Sequence, residues 1–431
     1  MTRSTMTRVP PATSPVKEAW DAVENCFERF CLTAGVAALQ SMLAADAAEL
    51  CGDRHARSGA RQGYRWGTTE GKIGFHGGAV DVVRPRVRAK GGRTEMALPS
   101  WTAAVEQDWL GQWAMNLMLI NVSTRKIGRA VRLPGGSIPQ QNGDGTSKSA
   151  ASRRFVALSA ERMQAWFASD LSKLDLLVIQ IDGLHVAEDI VLLAAIGIDA
   201  SGHKHPLGLV EGASENRVTV QALLDNLIER GLDPEVCRLF VLDGAKALTS
   251  AVQRTFGRNT PIQRCQVHKS RNILERCPKK HIASVRKTLR KAWELDDVAK
   301  AERLIKDLAR RMEKEAPGVS GSILEGLDEM LTVNRLRLPA ALRRALACTN
   351  AIENMQGTIR RVTRNVKRWQ DAEMALRWAA AGMMEAKKGF RRLKAYKQLP
   401  RLKAALVAHQ TKHAARPTAG KPKVAAAARA A

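Results

Sequence analysis

The chain holds only two tyrosines and seven cysteines in 431 residues. Neither Tyr64 nor Tyr396 sits in a catalytic-looking context, so no covalent tyrosyl intermediate is expected. An odd number of scattered cysteines argues against a disulfide framework and for a reducing cytoplasm. No apolar run approaches the roughly 18 residues of a spanning helix, so no membrane partner is expected. The N-terminus, MTRSTMTRVPPATSPV, lacks the apolar core of a secretory signal. No GxxxxGK[ST] loop is present, which excludes a nucleotide-driven helper within the chain. A Ser/His/Asp arrangement is absent too, so any phosphoryl chemistry must run without nucleotide hydrolysis or a serine nucleophile.

Positive charge is abundant. The formal net charge is +27 and the pI about 10.3. Such an excess predicts a polyanionic partner, because basic side chains release counterions from phosphates. The excess is uneven. Between Leu171 and Asp243 there are 12 acidic and 5 basic residues, whereas after Glu353 there are 19 basic and 3 acidic. An acidic island in a basic chain suits carboxylates that hold cations while basic flanks hold a nucleic-acid backbone. A solvated acidic surface gives the same count.

The length favours two to four domains. Residues 1–16 read as disordered. Apolar spacing from Val16 to about Cys51 (Trp20, Val23, Phe27, Phe30) is helical. The glycine-rich stretch 57–95 reads as a β-rich arm of short strands. Residues 122–167 resemble a helix-turn-helix, with Arg125 and Lys126 on the first helix and Arg153 and Arg154 early in the second, where DNA contacts are expected. A helical hairpin with a basic face is the alternative.

The period then changes. Strands are expected at 175–182, 190–198, 205–211, 237–242 and 261–264, with helices at 217–230 and 246–255, which makes a mixed α/β sheet. Residues 269–345 are helical in pattern throughout. The first strand, in LLVIQIDGLH (176–185), is expected to end on Asp182-Gly183, and the fourth ends on Asp243-Gly244. Two strand ends that present Asp-Gly can set two carboxylates side by side, which repel unless a cation lies between them. Mg²⁺ takes oxygen ligands and leaves positions for substrate phosphate. Two such ions suit in-line phosphoryl displacement. Glu353 in TNAIENMQG is the best third ligand, with Arg360 two helical turns on along the same face for phosphate. Each Asp-Gly alone is more often a turn than a ligand.

Taken together, IDGLHV (181–186), HPLGLVEGASEN (205–216), VLDGAKAL (241–248), CQVHK (265–269) and TNAIENMQGTIRR (349–361) resemble the Mutator-type family of bacterial DDE transposases. GYRWG (63–67) and VSTRKI (122–127) add to the likeness, which runs over about 20–400. The resemblance implies a ribonuclease-H-like core in two parts, 171–265 and 346–400, interrupted by a helical insertion at 266–345. Ahead of it would lie a mainly helical DNA-binding region, 17–170, and behind it a basic disordered tail, 401–431. Asp182, Asp243 and Glu353 match the family's catalytic triad, with two Mg²⁺ ions (Mn²⁺ substituting). Arg360 matches its basic residue seven after the glutamate, and Cys265 with His268 its C-x-x-H element. Arg361 and Lys246 are further expected DNA contacts, and His185 a supporting residue. Asn354-Met355-Gln356 departs from the Arg-Leu-Asn frequent in relatives.

The implied activity is binding of terminal inverted repeats followed by DNA cleavage and strand transfer. Double-stranded DNA is the expected partner, a homodimer or larger oligomer the expected assembly, and the bacterial cytoplasm, at the nucleoid, the expected place. A nuclease that cuts without joining, or a non-catalytic DNA-binding descendant, are the rivals. A zinc site from Cys265, His268, Cys277 and His281 is disfavoured because Pro278 and helical residues separate the pairs.

Overall fold

The structure, a computed structural model, describes residues 27–53, 61–75, 78–92, 94–106, 109–126, 148–186, 190–212 and 217–414. The chain divides into two compact units, Met1–Leu158 and Ser159–Ala431. The division falls earlier than the boundary expected after residue 170.

In the first unit, helix α1 (Phe27–Cys51) is followed by an antiparallel sheet of β1 (Gly63–Phe75), β2 (Gly78–Ala89) and β3 (Glu95–Met96). Leu43, Ala47 and Cys51 recur every four residues, so they share one helical face, and they are buried with Val82, Val87 and Leu98. Contrary to the sequence expectation, the alanine-rich stretch Cys31–Cys51 is long and apolar enough to cross a membrane by composition. Only 17% of that stretch is buried, and it carries Asp46, whose carboxylate accepts hydrogen bonds from the Ser100 backbone at 2.7 Å and hydroxyl at 3.0 Å. Gly71 of β1 permits a close approach, since a Cβ there would overlap the Trp101 ring. Helices α2 (Pro99–Glu106) and α3 (Trp109–Leu119) follow, and α4 (Lys148–Phe167) carries the chain across the division. Residues 1–16 and the middle of the expected helix-turn-helix, 127–147, lie outside the described residues.

The second unit is built on a five-stranded sheet. Strands β4 (Leu176–His185), β5 (Val191–Asp199) and β6 (Lys204–Gly212) form an antiparallel meander. Helix α5 (Arg217–Glu229) leads to β7 (Leu239–Leu242), parallel to β4, and α6 (Lys246–Phe256) leads to β8 (Ile262–Arg264), parallel to β7. The order is β6-β5-β4-β7-β8, so β4 is central. It is covered on both faces, which is why it reads as a nearly unbroken apolar run. Ile179 and Ile181 join Phe240 and Leu242 in a core with α5 and α6. Val178 joins Leu239 and Val241 on the opposite face.

Helices α7 (Gln266–Glu275), α8 (Ile282–Glu294), α9 (Val298–Glu315), α10 (Pro317–Leu324), α11 (Leu327–Met330), α12 (Thr332–Arg335) and α13 (Ala340–Leu346) come next. Most of them share a core of their own around Ile273, Val285, Leu289, Ile305, Leu308 and Met330. The buried Asn334 amide donates to the carbonyls of Trp293 at 3.0 Å and Leu295 at 2.9 Å, pinning the end of α8 to α12. Helices α14 (Asn350–Thr363) and α15 (Ala372–Lys388) then return to the sheet.

The tail expected to be disordered from 401 is instead helical to Ala414, in α16 (Leu399–Ala414). Leu399, Leu402 and Leu406 follow three- and four-residue spacing and are buried against the sheet with Val178 and Leu239. Residues 415–431 lie outside the described residues.

Candidate active site

Strand β4 does not end at Asp182. It runs on through Gly183 and Leu184 to His185, because β5 continues beside it with Asp182 opposite Ala194 and His185 opposite Val191. The parallel ladder with β7 does stop there, its last pair being Ile181 and Leu242. Asp182 and Asp243 therefore occupy the next position on two adjacent strands, and alternation sends both to the face of Val178 and Gln180. The chain leaves β7 through Gly244, whose φ of 104° is left-handed and favours glycine. Asp243 Oδ1 accepts a hydrogen bond from the Ala245 amide at 2.9 Å, which closes that turn.

Two glutamines dock α14 on β4. Gln180 is 1% exposed. Its amide donates to the Cys348 carbonyl at 3.2 Å, and its oxygen accepts from the Ile352 amide at 3.3 Å. One turn on, the Gln356 amide donates to the Gly183 carbonyl at 2.9 Å and to Asp182 Oδ2 at 3.3 Å. Between these clasps stands Glu353. Glu353, Gln356 and Arg360 share one helical face by their spacing.

The result is a cavity of about 440 Å³ lined by Asp182, Asp243 and Glu353, and also by Gly183, His185, His268, Gln356 and Arg360, with Arg271 and Asn272 of α7. His268 Nε2 lies 3.1 Å from Glu353 Oε1. The contact is one of charge rather than aligned hydrogen bonding, for Glu353 Oε1 is buried with no hydrogen-bond partner. The His268 imidazole is pushed up to about 9, chiefly by the Cys265 thiol as a hydrogen-bonding group. Burial opposes that rise, and the negative charges of Cys265, Asp182 and Glu353 add to it. Burial would raise the Cys265 thiol, but hydrogen bonding by His268 and Thr349 outweighs it and holds the thiol below its usual range.

The expected residues fall into four groups. Asp182, Asp243, Glu353, His185, His268 and Arg360 line the cavity. Cys265 is buried behind it, its sulfur accepting from the Thr349 hydroxyl at 3.4 Å. Lys246, at the start of α6, and Arg361 are exposed and lie outside the lining. In the first unit Arg125, Lys126 and Arg153 are exposed and Arg154 partly so. The two Cys–His pairs do not assemble: Cys277 packs in the helical core, and His281 Nε2 lies 2.6 Å from Glu315.

Among the described residues no three His, Cys, Asp or Glu side chains are already drawn together to metal-ligand distance. The three carboxylates share the cavity without closing on one point. Their fit to a hard cation rests on donor chemistry: carboxylate oxygens on three elements, one of them Glu353 Oε1, buried and without a hydrogen-bond partner.

Sequence reasoning missed Gln180, Gln356, Arg271 and Asn272. For the last three a signal existed. Gln356 lies one helical turn past Glu353, and Arg271 and Asn272 one turn past His268.

The sequence profile of the family described as Transposase, Mutator family, matches residues 20–392. The chain belongs to the Mutator family of transposases. The relatives it matches include transposases for insertion sequence elements. The chain is 29% identical over 54% of its length to the transposase for insertion sequence element IS6120 of Mycolicibacterium smegmatis, covering 72% of that protein. It is 28% identical over 66% of its length to the transposase for IS406 of Burkholderia multivorans, covering 74%. The transposase for IS256 in transposon Tn4001 of Staphylococcus aureus is 26% identical over 63% of the chain, with 68% of that protein covered. In this Mutator-family transposase the matched span takes in every residue that lines the carboxylate cavity.

Proposed function

We propose that this transposase binds the terminal inverted repeats of its insertion sequence and carries out Mg²⁺-dependent DNA cleavage and strand transfer at the cavity of Asp182, Asp243 and Glu353. The observation that carries the reading is the meeting of three carboxylates, distant in the chain, on one cavity beside Arg271 and Arg360. A ribonuclease-H-like core is supported by the sheet: an antiparallel meander on one side of β4, parallel crossovers on the other, and the aspartates at the centre.

Asp182 and Asp243 would hold two Mg²⁺ (or Mn²⁺) ions, with Glu353 completing the second. Bound there, such a pair stabilises the attacking and leaving oxygens of an in-line phosphoryl displacement. The chain's own residues set that geometry. Gln356 orients the Asp182 carboxylate, and the cationic His268 ring keeps Glu353 turned into the cavity. Arg360 and Arg271 hold phosphate oxygens. Water first cuts at the element end and leaves a 3′-OH. That 3′-OH then attacks a target phosphodiester, one P–O bond forming as another breaks, so no nucleotide is consumed. The exposed basic residues of the first unit, Arg125, Lys126 and Arg153, bind the inverted repeats. Handling two ends together calls for at least a dimer.

The test is strand transfer of a labelled element end into a second duplex. Asp182→Asn, Asp243→Asn and Glu353→Gln should each abolish joining while leaving DNA affinity within a few-fold of wild type. Joining that persists in any of the three sinks the assignment. Wild-type protein that cuts but never joins is a nuclease, and one without Mg²⁺-dependent activity is a DNA-binding descendant.

A further inference from the structure

A second, larger cavity of about 800 Å³ lies between α7, α8 and α13, next to the carboxylate cavity. Arg271 lines both, and Asn350 at the start of the Glu353 helix lines the larger one. Its floor is apolar, with Leu274, Ile282 and Val333, and Trp293 stands in its wall. The Trp293 indole N–H is buried and has no hydrogen-bond partner. A buried indole normally finds an acceptor, so this wall is short of one.

Arg271, Arg286, Arg290 and Arg344 also line the cavity, and all four are exposed. None makes a hydrogen bond or ion pair among the described residues. Arg343 shows the contrast: it reaches the same cavity but is engaged by Asp296 at 2.5 Å and by the carbonyls of Leu338 and Glu294. Glu275 and Glu294 are the acidic residues of the lining, so the unpaired charge is positive.

We propose that this cavity holds one or two unpaired nucleotides of the DNA strand that passes through the carboxylate cavity. The inference rests on the proposed function for its neighbour but not on catalysis. A planar ring beside unpaired guanidinium groups is the chemistry that binds single-stranded nucleic acid, with bases on the aromatic and phosphates on the arginines. The volume matches a site for a ligand of nucleotide size. Arg271, shared by both cavities, fixes the order: the phosphate next to the scissile one sits on Arg271, and the unstacked base beyond it reaches Trp293. An acceptor on the base edge or sugar-phosphate satisfies the indole N–H.

The probe is a 16-nucleotide dT strand carrying 5-iododeoxyuridine at one position, added to the full chain without metal. Near-ultraviolet crosslinking should place the modified base on the peptide that contains Trp293. By anisotropy, Trp293→Ala should weaken binding of the strand about tenfold, while Trp293→Phe stays within about threefold. Arg286→Ala with Arg290→Ala, both on exposed side chains that leave the fold intact, should weaken it and lower the salt slope by about 1 to 2. Crosslinks confined to other peptides, together with unchanged affinity in the arginine pair, overturn the proposal. So does ATP that displaces the strand as well as free dT16 does at equal phosphate concentration, because the site would then take a mononucleotide. Asp182→Asn, which removes a negative charge beside the strand, should leave the crosslinked peptide unchanged and should not weaken binding. If the cavity variants behave as stated while triad variants still join DNA, the proposed function fails and this site stands. If triad variants lose joining while the cavity variants bind normally, the reverse holds.

Discussion

The side-chain amide of Gln356 donates to Asp182 at 3.3 Å and to the Gly183 carbonyl at 2.9 Å, joining the helix of one carboxylate to the strand of another. One residue thus sets both the aim of Asp182 and the seating of Glu353. Gln356→Ala should cost strand transfer about tenfold to a hundredfold, the range for a lost hydrogen bond to a charged group. It should raise the Mg²⁺ concentration needed for half-maximal rate and leave DNA affinity unchanged. Gln356→Glu should do worse, because it sets a like charge against Asp182. A transfer assay across a Mg²⁺ titration checks both.

Gln180 makes the companion clasp, and there the effect should be on stability. Gln180→Leu removes the side-chain donor to the Cys348 carbonyl, whereas the Ile352 N–H keeps the Thr349 carbonyl at 3.0 Å. A buried polar group left unmade costs about 1–3 kcal/mol. The urea midpoint should fall accordingly, and activity at low temperature should fall with it as α14 loosens. A midpoint equal to wild type would show that α14 is seated by its apolar face alone.

Helix α16 gives a prediction that sequence reading alone would have missed. Leu402 is 0% and Leu406 2% exposed, against the sheet face. Truncating either to Ala should destabilise the second unit by about 2–4 kcal/mol, as for other buried leucines. Calorimetry on the full chain measures it. A change within error would mean that the helix is dispensable to the core.

A pH dependence follows from Asp199, at the end of β5. Burial would raise its carboxyl, but hydrogen bonds from His205 and the His203 amide outweigh that and hold it below its ordinary value. Its oxygens accept from the Ser201 and His203 amides at 2.9 Å each and contact His205 Nε2 at 2.8 Å. A depressed carboxyl contributes stability that is present above its unfolded value of about 3.9 and is lost as pH falls through the folded one. Asp199→Ala should therefore lower Tm at pH 7, and the gap to wild type should shrink below about pH 4. A gap that stays constant with pH would place the contribution in packing.

The elements of the second unit were legible because period and length agree: LLVIQID and LFVL are too short and too branched for anything but buried strands. The aspartates were legible for a related reason, since a carboxylate at the end of such a run has no apolar partner. Where β4 ends was not legible. Its extension past Asp182 depends on β5 lying beside it, a long-range fact. Gln180 is a polar residue inside an apolar run, and only the docked α14 shows what it bonds. The α16 stripe of Leu399, Leu402 and Leu406 was hidden by its alanine- and lysine-rich surroundings. Of the expected helix-turn-helix, 122–167, the second helix is present over Lys148–Phe167, while 127–147 lie outside the described residues.

The central claim is that Asp182, Asp243 and Glu353 grip the same divalent ions. Fe²⁺ in place of Mg²⁺, with ascorbate and peroxide, cuts a polypeptide chain beside the metal it occupies. The full chain should be cut near all three residues at once, each cut suppressed by the same Mg²⁺ concentration and all lost together in Asp243→Asn. Cuts near one carboxylate alone, or cuts elsewhere that Mg²⁺ does not suppress, would contradict the account.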